Sequence, residues 1–149
     1  MKRVLGLDYG SKTVGVAVSD PLMLGATPLE IIRREKENHL RRTYTRISQL
    51  IAEYEVGEIV LGLPLNMDGS EGERAAAVRL FKEGLEKRCS LPVHLQDERL
   101  TTVEADEILE FNGIREKDRK KYIDRIAAQV ILEDWMADQN YGKNRNDSR

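Results

Sequence analysis

Three acidic residues, far apart in the chain, stand where a carboxylate could take part in chemistry: Asp8, Glu98 and Asp124. Carboxylates that meet at one point repel each other, which raises their pKa values unless they share a cation. Oxygen ligands from short acids suit Mg²⁺ or Mn²⁺ rather than Zn²⁺. Two such ions held about 4 Å apart can activate a water and stabilise the leaving oxygen of a phosphodiester. The three acids therefore predict metal-dependent phosphodiester hydrolysis without a protein nucleophile.

Asp8 and Glu98 each end an apolar, strand-like run, and each also has a purely structural interpretation. Asp8 could open the turn at Gly10, as Asp often does, and Glu98 could be a solvated loop acid paired with Arg99. Against the first alternative, glycines in a central strand leave room for a ligand to approach the backbone. Three glycines surround Asp8 in this way: Gly6, Gly10 and Gly15.

Asp124 is the most informative of the three acids because of the residues that share its side of a predicted helix. Side chains three, four and seven positions later lie on the same face. At Asp124 these are Ala127, Ala128 and Ile131. This small, apolar face suits close packing against a sheet, so Asp124 is expected near the buried side, where a carboxylate needs a cation or strong donors. The alternative is an ion pair with Arg125 or Lys120 at the helix edge.

The elements that must position these acids follow in a regular order. Strand patterns cover 3–9, 13–19, 27–32, 58–62 and 91–96, and helical patterns cover 40–54, 73–87, 102–111 and 117–137. Three strands followed by alternating helices and strands predict an α/β fold. Its five-stranded mixed sheet joins a three-stranded antiparallel meander to two parallel strands, with helices on both faces. In such sheets functional residues collect beyond the carboxyl ends of the strands.

Composition limits the class of protein. The 149 residues suit one domain over 1–138, and the polar residues 139–149 are expected to be a disordered tail. The single cysteine, Cys89, indicates a reducing compartment. No apolar run reaches the ~18 residues of a membrane span, and the first residues lead directly into a strand pattern, so a cytoplasmic location without membrane contact is expected. The net charge of −2 gives no overall attraction for nucleic acid, which would have to bind to local basic patches.

Two basic clusters could provide such patches, at 33–46 and 115–125. The second adjoins Asp124 and is the better candidate for steering a phosphate backbone. The candidate contacts to the phosphate backbone are Lys120, Lys121 and Arg125 of this cluster, together with Arg99, which follows Glu98. The first cluster is interpreted as a solvated helix face. Aromatic residues make up only 5% of the chain, so recognition is expected to depend on backbone shape and charge.

The polar loop before the helix over 73–87 offers a further phosphate site. Asn66, Gly69, Ser70 and exposed backbone amides could hold a phosphate there, assisted by the helix dipole. The alternative is an ordinary loop in which Ser70 caps the helix.

Several short motifs together resemble one known family. They are LGLDYG at 5–10 with VGVA at 14–17, GLP at 62–64 with DGS at 68–70, DERLTT at 97–102 and DRIAA at 124–128. In this combination and order, over residues 3 to 137, they are similar to the YqgF-type family. The resemblance implies a ribonuclease-H-like fold, a metal site formed by Asp8, Glu98 and Asp124, and a nuclease for the 5′ end of pre-16S ribosomal RNA, also described as Holliday-junction-resolvase-like. Related resolvases carry a fourth acid at the end of the fourth strand. Here that strand ends in Gly62, Leu63 and Pro64, so the site resembles the family's own three-acid pattern, and whether one or two ions bind is left open.

Other functions remain open at this stage. Branched DNA could replace precursor RNA as the substrate of a resolvase-type nuclease. The acids could also be vestigial in a non-catalytic nucleic-acid-binding factor for transcription or ribosome assembly. A phosphotransferase of the actin and sugar-kinase type also opens with a glycine-flanked Asp, but such enzymes close two domains over ATP, and 149 residues are too few for both.

Overall fold

The structure, a computed structural model, describes residues 2–98 and 126–139. Within them the elements are β1 (Arg3–Tyr9), β2 (Thr13–Ser19), β3 (Ala26–Arg33), α1 (Arg41–Glu53), β4 (Val56–Leu63), α2 (Glu73–Arg88) and β5 (Val93–Asp97). Residues 126–139 form a further helix, α3. Three predicted parts of the chain lie outside the described residues: the helix over 102–111, the first half of the helix over 117–137, and tail residues 140–149. Gln139 is still helical, and the tail stays a prediction.

The five strands form one mixed sheet in the order β3-β2-β1-β4-β5. β1 pairs antiparallel with β2, and β2 with β3, whereas β1–β4 and β4–β5 are parallel. The predicted meander with two parallel strands is thereby confirmed, with β1 at the centre. Four strands, β1, β3, β4 and β5, therefore run in the same direction and end at the same side of the sheet. We call this side the carboxyl end, marked by Tyr9, Arg33, Leu63 and Asp97.

Alternation along β1 divides the core into two faces. Leu5, Leu7 and Tyr9 point to one side, into a large apolar cluster with residues of α1 and α2. Val4 points to the other side, into a smaller cluster built by α3. We refer to these sides as the α1–α2 face and the α3 face. Helices therefore cover both faces, as the element order predicts.

The α3 face is unusually close-packed at β1. A Cβ atom on Gly6 would lie 2.9 Å from the carbonyl oxygen of Ala128 and 2.8 Å from Cβ of Leu132. The room that the sequence suggested for a ligand beside Gly6 is therefore filled by the α3 backbone, and that interpretation is wrong at this position. Gly10 does close the predicted turn, since its N–H donates to the Thr13 carbonyl at 2.7 Å.

Most element boundaries fall within two residues of those predicted. β4 begins at Val56, because Val56 pairs with Arg3 at the start of β1. β5 begins at Val93 rather than residue 91, after Pro92, which has no N–H and contributes only its carbonyl to Ile59 at 3.0 Å. Of the helices among the described residues, none has the length and apolar content to cross a bilayer.

Candidate active site

Asp8 lies at the carboxyl end of the central strand. It is opposite Gly15 of β2 and one residue before the end of β1. Strand residues two apart share a face, so Asp8 projects to the same side as Val4 and Gly6, the α3 face. It is partly buried there. The strand therefore presents this carboxylate where α3 covers the sheet.

Glu98 reaches the same place from β5. Its N–H donates to the carbonyl of Leu63 at 3.2 Å, which continues the β4–β5 ladder one residue beyond β5. A Cβ atom added to Gly62 would lie 2.6 Å from Oε2 of Glu98 and 2.6 Å from Cδ1 of Ile131. The Glu98 carboxyl group thus lies over Gly62, between β4 and α3. The missing side chain at residue 62, noted in the sequence as a departure from related resolvases, makes this space.

The two acids interact electrostatically. Burial raises the pKa of the Glu98 carboxyl group to about 8, and the negative charge of Asp8, followed by that of Asp97, adds to the increase. At neutral pH the protein alone therefore favours a protonated Glu98. A cation between the two carboxyl groups would reverse this preference, because an opposite charge stabilises the ionised form.

The donor set fits a hard divalent cation. Asp8 and Glu98 offer carboxylate oxygens in a partly enclosed space, and no His or Cys accompanies them, which suits Mg²⁺ or Mn²⁺ better than Zn²⁺. Within residues 2–98 and 126–139 no group of three or more His, Cys, Asp or Glu could hold a metal. The predicted third acid, Asp124, lies outside the described residues, two positions before α3 is first described.

The helical face predicted to carry Asp124 packs as expected where it is described. Ala127, Ala128 and Ile131 are all buried against the sheet. Ala128 lies beside Gly6, two residues from Asp8 along β1, and Ile131 lies beside Gly62 and Glu98. The part of α3 nearest to Asp124 in sequence is therefore the part that lies nearest to the two described acids.

The loop between β4 and α2 uses its polar groups internally. Ser70 donates from its N–H (2.9 Å) and Oγ (2.6 Å) to Oδ1 of Asp68, and Asn66 Nδ2 donates to Ser70 Oγ at 2.9 Å. Gly69 turns the chain with φ 88°. The helix itself starts after Gly72, without a side-chain cap, so the interpretation of Ser70 as a cap is wrong. Phosphate binding by Asn66, Gly69 and Ser70 stays a prediction.

The structure does not describe the basic residues predicted to contact nucleic acid beside the acids: Arg99, Lys120, Lys121 and Arg125. It does show an arginine that the sequence analysis set aside. Arg34, from the first basic cluster, donates from Nη2 to the carbonyl of Gly10 at 2.6 Å, and its guanidinium lies 4.8 Å from the ring centroid of Tyr9. Its position directly after β3, a strand that ends at the same side of the sheet as β1, was the signal in the sequence.

Comparison with known proteins adds independent findings. Residues 2–138 match the RuvX family, described as Holliday junction resolvase. A Lachnospira eligens protein named "Putative pre-16S rRNA nuclease" is 58% identical over 134 residues, covering 90% of this chain and 96% of that protein. A protein of the same name from Agathobacter rectalis is 51% identical over 134 residues, covering 90% and 94%.

A solved structure supports the fold. T. thermophilus RuvC in complex with a Holliday junction substrate matches with a TM-score of 0.57 at 15% identity, covering 93% of this chain and 96% of that chain. At this identity the likeness concerns the fold alone. The ribonuclease-H-like fold predicted from the sequence motifs is thereby confirmed.

Proposed function

Because the chain belongs to the RuvX family over residues 2–138, we propose that it is a divalent-metal-dependent nuclease that processes the 5′ end of pre-16S ribosomal RNA. Nucleases of this kind are hydrolases of phosphodiester bonds. The family and the ribonuclease-H-like fold agree with the sequence resemblance, and the relatives that share about half of its residues carry the name of a pre-16S rRNA nuclease.

One observation carries the proposal: Asp8 and Glu98 meet under α3 at the carboxyl end of the sheet. The two strands that bear them are separated by β4, and only because residue 62 lacks a side chain can the Glu98 carboxyl group lie over β4. Burial beside a second acid raises the pKa of Glu98 to about 8, as expected of two carboxyl groups that share a site without a cation. Such a pair fits a site built to bind a cation.

In this proposal Asp8, Glu98 and Asp124 hold Mg²⁺ or Mn²⁺. When bound, a divalent ion supplies Lewis acidity toward a phosphodiester oxygen and lowers the pKa of water. Asp8 is held by a central strand, so its carboxylate is positioned with little freedom. Ile131 and the rest of α3 exclude water from one side of Glu98. Asp124 completes the set from the segment that leads into α3.

We assign the substrate contacts to basic residues next to these acids in the chain. Arg99 directly follows Glu98, and Arg125 directly follows Asp124. Lys120 and Lys121 precede Asp124 by four and three positions in the sequence. Asn66, Gly69 and Ser70 would be additional phosphate contacts if Asp68 released its hydrogen bonds. The lone Cys89 and the rRNA substrate both fit a cytoplasmic location.

A second candidate substrate is branched DNA. The family description and the fold shared with a RuvC–junction complex favour it. The same acids and cation would serve, because phosphodiester hydrolysis is common to both substrates. A non-catalytic nucleic-acid-binding role gives no reason for two partly buried acids to lie together at the carboxyl end of the sheet.

The test incubates purified protein with a precursor 16S rRNA fragment and with a four-way DNA junction, each with Mg²⁺, with Mn²⁺ and with EDTA. We expect cation-dependent cleavage of the RNA by the native chain and loss of cleavage in Asp8→Asn and Glu98→Gln. Glu71→Gln, which removes an exposed acid paired with Arg79, serves as the matched control. Preferential cutting of the junction would favour the DNA substrate. Unchanged RNA cleavage by Asp8→Asn would refute the assignment of the site.

A further inference from the structure

A second feature of the carboxyl end is a cleft rich in arginine. It lies between the end of β3 and the start of α1, has a volume of about 720 Å³, and brings Arg33, Arg34, Arg41 and Arg42 together with a single acid, Glu35. We call it the arginine cleft. The sequence favours a solvated helix face for these residues, but the fold places them around one cleft.

The charges of this cleft are not neutralised by the described parts of the chain. Neighbouring arginines are paired: Arg46 bonds to Glu30 and Arg74 to Glu37, at 2.6 and 2.7 Å. Among residues 2–98 and 126–139, no carboxylate forms an ion pair with Arg33, Arg41 or Arg42. Like charges held together without a counterion favour the binding of an anion.

The start of α1 increases this preference. Its first turn contains Arg41 and Arg42 and no acidic residue, and its N-cap, Leu40, makes no side-chain hydrogen bond. Cations are disfavoured at a helix N-terminus by the helix dipole, and the first N–H groups of a helix need acceptors. Two arginines here lower the stability of the helix, and an anion bound between them and the first N–H groups would compensate.

Arg34 links the cleft to the candidate active site. Its N–H donates to the carbonyl of Lys12 at 2.8 Å and its Nη2 to that of Gly10, so it is fixed to the turn that follows Asp8. Its Nη1 atom is buried without a hydrogen-bond acceptor among the described residues. β3 lies two strands from β1, which places the cleft about 10 Å from the strand that carries Asp8.

From this arrangement we propose that the arginine cleft binds the phosphate backbone of the nucleic-acid substrate at a second point, away from the bond that is cut. This inference rests on the proposed nuclease function. Asp8 projects to the α3 face, whereas the cleft adjoins Tyr9 and α1 on the other side of the Gly10 turn. The occupant of the cleft in this proposal is the duplex part of a hairpin or branch, on the α1 side of the Gly10 turn.

The test compares RNA binding by the native chain and by the double variant Arg41→Gln/Arg42→Gln. The probe is a fluorescently labelled RNA hairpin with a single-stranded 5′ extension, measured by anisotropy in EDTA over a range of salt concentrations. The control is Lys2→Gln/Lys87→Gln, which removes the same charge from exposed positions at the opposite end of the strands. Both variants keep the core intact.

We expect the arginine variant to bind the hairpin at least about tenfold more weakly than the control. Its plot of log K against log salt should have a slope smaller by about 1.4 to 1.8, the equivalent of two phosphate contacts. The extension alone, without the duplex, should bind both variants equally. A thermal midpoint equal to or above that of the native chain is also expected, because the two positive charges at the N-terminus of α1 are removed. Hairpin affinity and salt slope equal to those of the control would overturn the inference.

Cleavage kinetics separate this inference from the function on which it rests. With precursor RNA and Mg²⁺, the arginine variant should show a raised KM and an unchanged kcat. If the native chain cleaves RNA but the variant has the KM of the control, only the cleft assignment fails. If no form of the protein cleaves RNA or junction, the nuclease proposal fails, and the anisotropy comparison still decides whether the cleft binds phosphate backbone.

Discussion

The two faces of the sheet are built on opposite principles. On the α1–α2 face, large side chains such as Leu5, Leu7 and Phe81 fill the space between sheet and helices and are fully buried. On the α3 face, Gly6 and Gly62 let the helix and a carboxyl group lie directly on the strands. The first face therefore gains stability from large buried side chains. The second face has glycines instead of large side chains where the candidate site requires space.

This difference shows why an acid can be kept beside a hydrophobic core. Glu98 rests over Gly62 at the end of the smaller cluster, where it displaces no large side chain. On the other face, the position next to Asp8 is taken by Tyr9, whose ring stacks on Phe81 at 4.4 Å. Alternate residues of β1 thus contribute to the large apolar core on one face and to the candidate site on the other. Substitutions that remove volume should therefore be damaging on the α1–α2 face, and substitutions that add volume should be damaging on the α3 face.

The largest expected effect is the loss of volume on the α1–α2 face. Leu7→Ala removes a fully buried side chain and should lower the free energy of unfolding by about 2 to 5 kcal/mol. The kcat of the folded fraction should be unchanged. Urea unfolding and cleavage assays measure the two quantities. Leu80→Ala, at a residue 69% exposed on α2, is the control and should change stability by less than about 0.5 kcal/mol. A stable Leu7→Ala protein without activity would contradict the division between faces.

A gain of volume should be the damaging change on the α3 face. Gly6→Ala places a Cβ atom against the Ala128 carbonyl, a backbone atom that can move only with α3. We expect a loss of about 1 to 3 kcal/mol, again by urea unfolding, together with reduced cleavage. Gly25→Ala, whose Cβ would meet only Oδ2 of Asp20 at 3.9 Å, should be neutral. Equal stability of the two variants would show that α3 is not held as described.

Gly62→Ala should affect the site more than the fold. The new Cβ atom meets the tips of two side chains, Glu98 and Ile131, which can move aside. The free energy of unfolding should change by less than about 1 kcal/mol, while cleavage falls at least about tenfold because a proposed metal ligand is displaced. Adding Ile131→Val relieves the contact with α3 alone. Recovery of activity in that double variant would mean that Gly62→Ala lowers cleavage through Ile131 and not through displacement of Glu98.

A separate expected effect is on the pH dependence of stability without metal. In the folded state the pKa of Glu98 is raised to about 8 from 4.5. The folded protein therefore keeps a proton that the unfolded chain releases, and stability must fall as pH rises between these values. The Glu98→Gln variant cannot titrate at residue 98. In EDTA, its free energy of unfolding minus that of the native chain should therefore increase from pH 5 to pH 8 and stay constant above about pH 8. Parallel curves for the two proteins would contradict the burial of Glu98 beside Asp8.

The sequence predicted what depends on neighbours in the chain. Apolar runs around Gly10 located β1 and β2 to the residue, and helical spacing identified Ala128 and Ile131 as a packing face. Contacts between distant segments were harder to foresee. Nothing near Gly6 in the chain indicates that Ala128 and Leu132 of a distant helix occupy the space beside it. The interpretation of Ser70 as a cap is wrong for a local reason: its Oγ accepts from Asn66 Nδ2 and donates to Asp68 inside the loop, and the helix starts after Gly72.

The sequence predicts that the acids of the candidate site meet at one edge of the sheet, but it does not predict the contacts that hold Asp8 and Glu98 there. Asp8 and Glu98 were identified from their places at strand ends, and the parallel pairing of β1, β4 and β5 brings those ends together. The closeness of Glu98 to Asp8 depends on Gly62 and Ile131, which belong to other elements. The arginine cleft depends likewise on how β3 and α1 meet. Residue types predict which groups are available, whereas packing decides which of them face each other.

The packing of α3 on Gly6 also sets an order of events. It joins segments about 120 residues apart, one of the most non-local contacts in the chain, and such contacts form late because the intervening loop must close first. A ribosome delivers all five strands before it delivers Ala128 and Leu132. Until α3 is made, its side chains do not cover Val4, Ala17 and Val60, and Glu98 is exposed to water. A protein that acts on ribosomal RNA would thus complete its candidate site only after the residues of α3 have been made.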